Sequence, residues 1–241
     1  KTSVNLNYTV GKSGLEAAVR LAGLRTIVTS RAFVEKAKLE LPEGPSIVWL
    51  EDVARAISTG QKLTAALLAL CAPARLIERA CGQTTPLTMD DLATIIFSSG
   101  STGDPKGVML SHFNVDANVQ GASQVLHLYQ DERVLGILPF FHSFGYLVFW
   151  LVTLNGQSIV FHPSPLDVTA IGDLVQRFRL TFLVTTPTFL QLYQRRCTPE
   201  QFSSLRIVLT GAEKLPARLA QAFEDHFGVA PVEGYGVTEC A

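Results

Sequence analysis

Apolar positions recur along the chain in two patterns, short unbroken runs and stripes spaced at three and four residues, and the two alternate. After a strand end at Val4, residues Leu15, Ala18, Val19 and Ala22 share a helical face, and Thr26 to Thr29 reads as a strand. A second helix opens at Ser30 or Arg31, carries Phe33, Val34 and Ala37, and stops at Pro42-Glu43-Gly44-Pro45; Ile47 to Leu50 is the next strand. Strand, helix and strand joined by short connections imply a parallel sheet with helices on its faces. The expected fold class is α/β, with mostly parallel sheets flanked by helices.

The alternation continues downstream. Leu92 to Phe97 is a short apolar, partly β-branched run of the kind that makes a buried strand, and Val108 to Leu110 reads as the second arm of a hairpin. Ser111 is placed to cap a helix from about His112 to Leu126. Strands are expected at Val134 to Leu138, Ser158 to Phe161, Thr181 to Thr185 and Leu205 to Thr210, with a short last one at Val229 to Val232. Between them lie helices from Tyr146 to Leu154 and from Asp167 to Arg179, a third capped by Thr186 with Pro187 in its first turn, and a fourth from Pro216 to a Gly228 cap.

One stretch fits this rhythm poorly. In QKLTAALLALCAPARLIERAC, residues 61 to 81, Leu63, Ala66, Leu67 and Leu70 form an apolar stripe that Pro73 interrupts. A helix packed into the core is the expectation, and a helix lying on a bilayer is the alternative. The Pro- and Thr-containing run from Gly82 to Thr88 then reads as a linker, which divides the chain into a first α/β sub-domain at 1–85 and a second at 86–241.

Composition narrows the class. A chain of 241 residues with 47% hydrophobic content can bury a large core. Its net charge of −1 and the lack of a basic tract argue against a nucleic-acid surface. Cys71, Cys81, Cys197 and Cys240 are scattered without metal-binding spacing, so free thiols in a reducing, cytoplasmic compartment are expected. No run of about eighteen apolar residues marks a spanning helix. The first residues, KTSVNLNYT, carry none of the regions of a signal peptide and read as the middle of a domain.

The chemistry concentrates in three stretches. FSSGSTGDPKG, residues 97 to 107, follows the strand at 92–97 with hydroxyls, glycines and Lys106. Glycines let backbone N–H groups approach an anion, hydroxyls add neutral donors, and the lysine adds charge. The order of residues matches neither the nucleoside-triphosphatase loop nor the dinucleotide pattern. A polar surface turn has the same composition. LPFFHSFG, residues 138 to 145, puts His142 among aromatics at a strand end, where a parallel sheet binds ligands, although a histidine among phenylalanines is also a common core residue. EGYGVTE, residues 233 to 239, sets Tyr235 between glycines and ends in Thr238 and Glu239: a ring free to stack, a hydroxyl donor and an oxygen ligand for a hard cation.

In order, with TGAEKL between the last two, these motifs resemble the large N-terminal domain of the adenylate-forming superfamily over most of the chain. That resemblance implies ATP and Mg²⁺ as cofactors. Ser98, Ser99, Gly100, Ser101, Thr102, Gly103 and Lys106 would hold the phosphates. Gly211, Ala212, Glu213, Glu233, Gly234, Tyr235 and Gly236 would surround the adenine, Thr238 would serve phosphate, Glu239 magnesium, and His142 would orient the acid. Thr102, Lys106, His142, Thr238 and Glu239 are the residues expected to carry catalysis. The implied reaction joins a carboxylate to AMP with release of pyrophosphate, then passes the acyl group to a thiol.

Amino-acid-activating members carry an aspartate near the aromatic motif, and this chain has Phe140, Phe141, Ser143 and Phe144 around His142, which points to an apolar acid such as a fatty acid. VNLNYT, TIVTSRAF, HPSPLD and EGYGVTECA also look like the synthetase portion of bifunctional acyl-ACP synthetase/2-acylglycerophosphoethanolamine acyltransferases. This implies acyl carrier protein or coenzyme A as thiol partner, with membrane attachment, at the cytoplasmic face, through regions outside this chain. Members of the superfamily continue past this point with a ribose-binding aspartate, a hinge and a small lid domain bearing a lysine. The chain is therefore expected to be a fragment, with little adenylating activity by itself.

Overall fold

The computed structural model describes residues 2–83, 85–99 and 105–240. In chain order the elements are β1 (Ser3–Val4), α1 (Gly11–Leu21), β2 (Thr26–Thr29), α2 (Arg31–Ala37), β3 (Ser46–Trp49), α3 (Leu50–Ala56), α4 (Thr59–Cys71) and α5 (Ala74–Ala80). There follow β4 (Leu92–Ser99), β5 (Pro105–Ser111), α6 (His112–Leu126), β6 (Arg133–Gly136), α7 (Ser143–Leu154), β7 (Ser158–Phe161), α8 (Val168–Phe178) and β8 (Phe182–Thr185). The chain closes with α9 (Pro187–Arg196), α10 (Pro199–Phe202), β9 (Ile207–Thr210), α11 (Ala217–Phe227), β10 (Pro231–Glu233) and a 3-10 turn at Thr238–Cys240. They group into two compact units: Lys1–Asn5 with Leu92–Ser98 and Val108–Ala241, and Leu6–Asp91 with Ser99–Gly107.

The larger unit is built on a five-stranded sheet in the order β10-β9-β8-β6-β7. Every neighbouring pair in it is parallel. Because side chains alternate along a strand, each strand feeds two cores. Leu135, Leu183 and Val208 point into one, where α8, α9, α10 and α11 contribute Ile171, Val175, Leu190, Tyr193, Phe202 and Phe223. Val134, Phe182, Val184 and Ile207 point into the other, covered by Val115 and Val119 of α6 and by Val148, Leu151 and Val152 of α7. Local signals set the helix starts. Ser111 and Asn114 form a reciprocal capping box for α6, Asp167 caps α8, and Thr186 caps α9 ahead of Pro187. At the buried end of the sheet, Glu132 accepts hydrogen bonds from Thr181 and Arg206, tying the starts of β6, β8 and β9 together.

The chain runs from β6 outward to β7, then returns across β6 to β8, β9 and β10. That reversal is a topological switch point, and in parallel sheets ligands bind beyond the carboxyl ends of the strands on either side of it. A small second sheet sits in the same unit, where β1 pairs in parallel with β4 and buried Thr94 donates to the Ser3 carbonyl at 3.0 Å.

The smaller unit holds the parallel pair β2–β3, in register from Thr26↔Ser46 to Thr29↔Trp49, with α1 burying Leu15 and Ala18. Here the expectation of a core-packed helix over 61–81 fails. Ser58 and Gln61 form a full capping box for α4, so the helix itself is well specified. Yet no residue of α3, α4 or α5 is buried. Leu63, Leu67 and Leu70 are 63%, 55% and 84% exposed. Helical spacing defines a face without saying what covers it, and no part of this unit covers this one. Among the described residues no helix is long and apolar enough to cross a membrane.

Candidate functional site

Loops beyond the carboxyl ends of β6, β9 and β10 bring three of the sequence motifs together. After β6 the chain turns so that the His142 N–H donates to the Pro139 carbonyl at 3.2 Å, and His142 takes the N-cap position of α7 with extended backbone angles. Gly145 makes this tight turn possible, since a Cβ there would fall 2.3 Å from the Pro139 carbonyl oxygen. The His142 ring packs against Phe141 in a tilted arrangement, with centroids 4.5 Å apart and the planes at 57°. Partial burial of the ring pushes its pKa below the usual 6.5, so the imidazole is neutral at pH 7 and able to donate from one nitrogen while accepting at the other. Alongside lies an apolar pocket, lined by Leu138, Phe140, Val148, Phe149, Ile159 and Val184.

Beyond β9, the Gly211 N–H donates to the Thr185 carbonyl at 3.2 Å, and a Cβ at Gly211 would lie 3.0 Å from the Phe144 ring and 3.4 Å from the Gly234 carbonyl oxygen. The glycine is therefore the contact point of all three loops. Ala212 follows with φ +67, a left-handed conformation that costs a non-glycine residue roughly 1–2 kcal/mol. Glu213 is fixed by the Thr188 hydroxyl, which donates to its Oε2 at 2.6 Å.

Beyond β10, Glu233 Oε1 accepts from the Leu215 N–H at 3.1 Å, so this carboxylate holds the loop from β9 in place. The Gly234 N–H donates to the Thr210 carbonyl at 2.7 Å. The side chain of Tyr235 is 93% exposed, with its ring faces open. Gly236 and Val237 lead into the 3-10 turn, where the Ser143 hydroxyl donates to Thr238 Oγ1 at 3.5 Å, linking the aromatic-His motif to the last one. The Cys240 carbonyl is held by Asn118 Nδ2 at 3.2 Å. Glu239 is exposed on the same turn.

His142, Gly211, Ala212, Glu213, Glu233, Gly234, Tyr235, Gly236, Thr238 and Glu239 thus all lie on this carboxyl edge of one sheet. Ser98 ends the part of β4 that belongs to the same unit, whereas Ser99 and exposed Lys106 belong to the smaller one. Gly100, Ser101, Thr102 and Gly103 lie outside the described residues. Glu239 offers one carboxylate, and among the described residues no three His, Cys, Asp or Glu side chains cluster as a metal cage. That donor set fits magnesium, which takes one or two carboxylates and completes its shell with phosphate oxygens and water. In the sequence Phe144 and Ser143 argue only for an apolar acid, without their contacts to the other loops, and nothing there singles out Thr188. The first two stand inside the quoted LPFFHSFG motif, while Thr188 meets Glu213 only because β8 and β9 are neighbours, which no local signal announces.

A doubly wound parallel α/β domain with its loops gathered at the carboxyl edge defines the class. The signature of the AMP-binding enzyme family extends over residues 2–241, and the chain belongs to that family. It is 37% identical over 159 residues to a feruloyl-CoA synthase of Amycolatopsis sp, covering 65% of this chain and 32% of that protein. It is 32% identical over 158 residues to a long-chain-fatty-acid–CoA ligase of Bacillus subtilis (strain 168), covering 63% and 28%. The crystal structure of apo MatB from Rhodopseudomonas palustris superimposes with a TM-score of 0.74 at 26% identity, over 99% of this chain and 45% of that one. The chain thus spans less than half the length of each of these relatives.

Proposed function

We propose that the chain is the nucleotide- and acid-binding portion of an ATP-dependent, AMP-forming acid–thiol ligase working in the cytoplasm on an apolar carboxylic acid, a fatty acid in the first instance. In the first half-reaction a carboxylate oxygen bonds to the α-phosphorus of ATP, the bond from that phosphorus to the bridging oxygen breaks, and pyrophosphate leaves. In the second, a thiol sulfur bonds to the acyl carbon and AMP departs, while the thiol proton passes to solvent. No general base is needed for the first step, because the carboxylate is already a nucleophile. The protein's task is alignment and charge stabilisation.

The observation that carries this reading is the meeting of three loops at Gly211, which places an open Tyr235 ring, the Thr238 hydroxyl and a neutral His142 on one edge of a parallel sheet. Tyr235 with Gly211 to Glu213 would hold adenine, Glu233, Gly234 and Gly236 shaping that wall. Thr238 would donate to the α-phosphate. Neutral His142 would donate to the acid's carboxylate without quenching its charge. Ser98 to Lys106 would hold the β- and γ-phosphates. Magnesium held by Glu239 would offset the charge of the leaving pyrophosphate.

The relatives' names favour coenzyme A as the thiol. The likeness of HPSPLD and EGYGVTECA to acyl-ACP synthetases favours acyl carrier protein, with onward transfer to a lysophospholipid. Competition between the two thiols for a preformed acyl adenylate separates these. The central test has two parts. Titration of ATP with Mg²⁺ into the 241-residue chain should show binding that Tyr235→Ala weakens at least tenfold. The chain extended to its relatives' length should exchange labelled pyrophosphate into ATP only when fatty acid or hydroxycinnamic acid is present. Binding without acid-dependent exchange would leave a nucleotide-binding module in place of a ligase, and no binding at all would remove both readings.

A further inference from the structure

The helical stretch of the smaller unit combines two properties that rarely coexist on an idle surface. Along α4, Leu63, Leu67 and Leu70 recur at four and three residues and so share one face, and that face is turned to solvent. Leu76 of α5, 52% exposed, extends the apolar surface past Pro73. Soluble proteins rarely leave so continuous an apolar surface open unless something binds there. The charged residues of this stretch of sequence are predominantly basic. Between residues 55 and 83 stand Arg55, Lys62, Arg75 and Arg79 against Glu78 alone, a net charge of +3 in a chain whose total is −1. All four basic side chains are exposed. Just upstream, Arg31 takes both oxygens of Asp52 at 2.9 and 2.6 Å and its N–H donates to Glu51. Arg55 is also near enough to Asp52 to favour its charge, which leaves Lys62, Arg75 and Arg79 as the cations without a nearby acid upstream among the described residues.

From this pairing we infer that α4 and α5 form a lipid-facing surface, which lays the leucine stripe into the outer part of an anionic bilayer with Arg55, Lys62, Arg75 and Arg79 at the level of the headgroups. An exposed leucine face on a short helix, with cations on the same helix and on those before and after it in the chain, is the combination found where helices rest in the membrane interface. With 13 residues α4 is only about 20 Å long, too short to cross the hydrocarbon core, so it lies along the surface. Charge also decides between lipid and a second copy of the chain. Two copies meeting through this face would bring like charges together, whereas anionic lipid neutralises them. The inference does not rest on the ligase reading. It also differs from the membrane attachment outside this chain that the sequence resemblance implied.

Vesicle flotation tests it. The 241-residue chain carrying Cys81→Ser and Cys240→Ser can be labelled at exposed Cys71, at the end of α4, with an environment-sensitive dye, while Cys197 is buried. Vesicles of phosphatidylcholine with 30% phosphatidylglycerol should float the protein at least tenfold better than phosphatidylcholine alone and shift the dye to the blue, and high salt should reverse much of the gain. Leu63→Gln, Leu67→Gln and Leu70→Gln together should cut partition at least tenfold with an unchanged urea unfolding curve. Lys62→Glu, Arg75→Glu and Arg79→Glu together should abolish the preference for anionic lipid, a readout independent of how the leucine variant folds. Failure of the wild-type chain to float on either vesicle overturns the inference, as does undiminished partition of a folded leucine variant. A blue shift without vesicles that rises with protein concentration, together with dimers in sedimentation, would assign the face to a second copy and overturn it equally.

Discussion

Helices α8 and α4 carry apolar stripes of the same period and meet opposite fates. In α8, Val168, Ile171 and Val175 face the sheet, with Ile171 and Val175 fully buried against β6 and β8 neighbours such as Leu135 and Leu183. In α4, Leu63, Leu67 and Leu70 face solvent. Both helices have well-formed caps, Asp167 for one and the Ser58–Gln61 box for the other, so local structure does not separate them. What separates them is supply. The five-stranded sheet offers two apolar faces that the surrounding helices cover, whereas the short β2–β3 pair buries only Ile27 and leaves Val28 61% exposed, so the smaller unit has no comparable face for α4 to cover. An amphipathic pattern therefore specifies a helix and its face, and the partner comes from topology.

The sharpest way to break that contrast is to truncate one residue from each stripe. Ile171→Ala, at a fully buried position, should cost about 3 kcal/mol of unfolding free energy in urea, the transfer term plus the cavity left behind. Leu67→Ala, at a position 55% exposed, should stay within about 0.5 kcal/mol. Equal losses would mean that α4 is covered after all. The same contrast extends to charge. Glu132 is 2% exposed and accepts from Thr181 and Arg206, so Glu132→Ala would strand both donors and should cost about 2 kcal/mol, below the range for a wholly buried pair because Arg206 still reaches water. Asp52→Ala removes the exposed bidentate partner of Arg31 and should leave the urea midpoint unmoved within error.

Much of this division could be seen in one dimension, and the rest could not for identifiable reasons. The strands at Thr26–Thr29 and Ser158–Phe161 and the caps at Ser111 and Thr186 stand where the residues predicted them, because each depends on chemistry within a few positions. Helix α3 was invisible: Leu50-Glu51-Asp52-Val53 follows a β-branched run without a breaker, so the pattern merged it with the strand before it. At the candidate site, Tyr235, Thr238 and His142 stood out by motif, and the structure sets them at one sheet edge. The Thr188–Glu213 bond and the contact of Phe144 with Gly211 depend on sheet order, which the sequence does not display. The outward stripe of α4 is the same lesson in reverse.

The candidate site lies between the two extremes, and smaller effects should be found there. Of the non-glycine residues with positive φ among those described, Lys38, His127 and Arg179 are helix C-caps, and Ala212 alone sits in a site loop. Such a conformation survives only where surrounding contacts impose it, here the Thr185, Thr210 and Phe144 contacts of the neighbouring glycines. Ala212→Gly relieves roughly 1–2 kcal/mol of strain and gives back part of it as freedom in the unfolded chain. A net gain of about 0.5 kcal/mol in stability is the expected result. ATP affinity should fall at the same time, because a glycine no longer holds the loop ready. A loss of stability would show that the strain is not there.

His142 gives the smallest expected effect and the one whose sign is most informative. Its ring packs against Phe141 while the residue as a whole stays exposed, so only part of its surroundings oppose a charge. Burial holds the folded pKa below the ordinary 6.5, which means that the unfolded chain binds the proton more readily. Stability from this residue is therefore fully present above about pH 6.5 and is lost as the pH falls below it toward the folded value. Urea midpoints measured at steps from pH 7.5 to 5.5 should decline, and in His142→Gln the part of that decline centred below pH 6.5 should disappear while the midpoint at pH 7.5 barely moves. An opposite slope, with stability rising as the solution is acidified, would mean that a carboxylate raises the histidine instead. It would also remove the neutral donor on which acid binding at this edge depends.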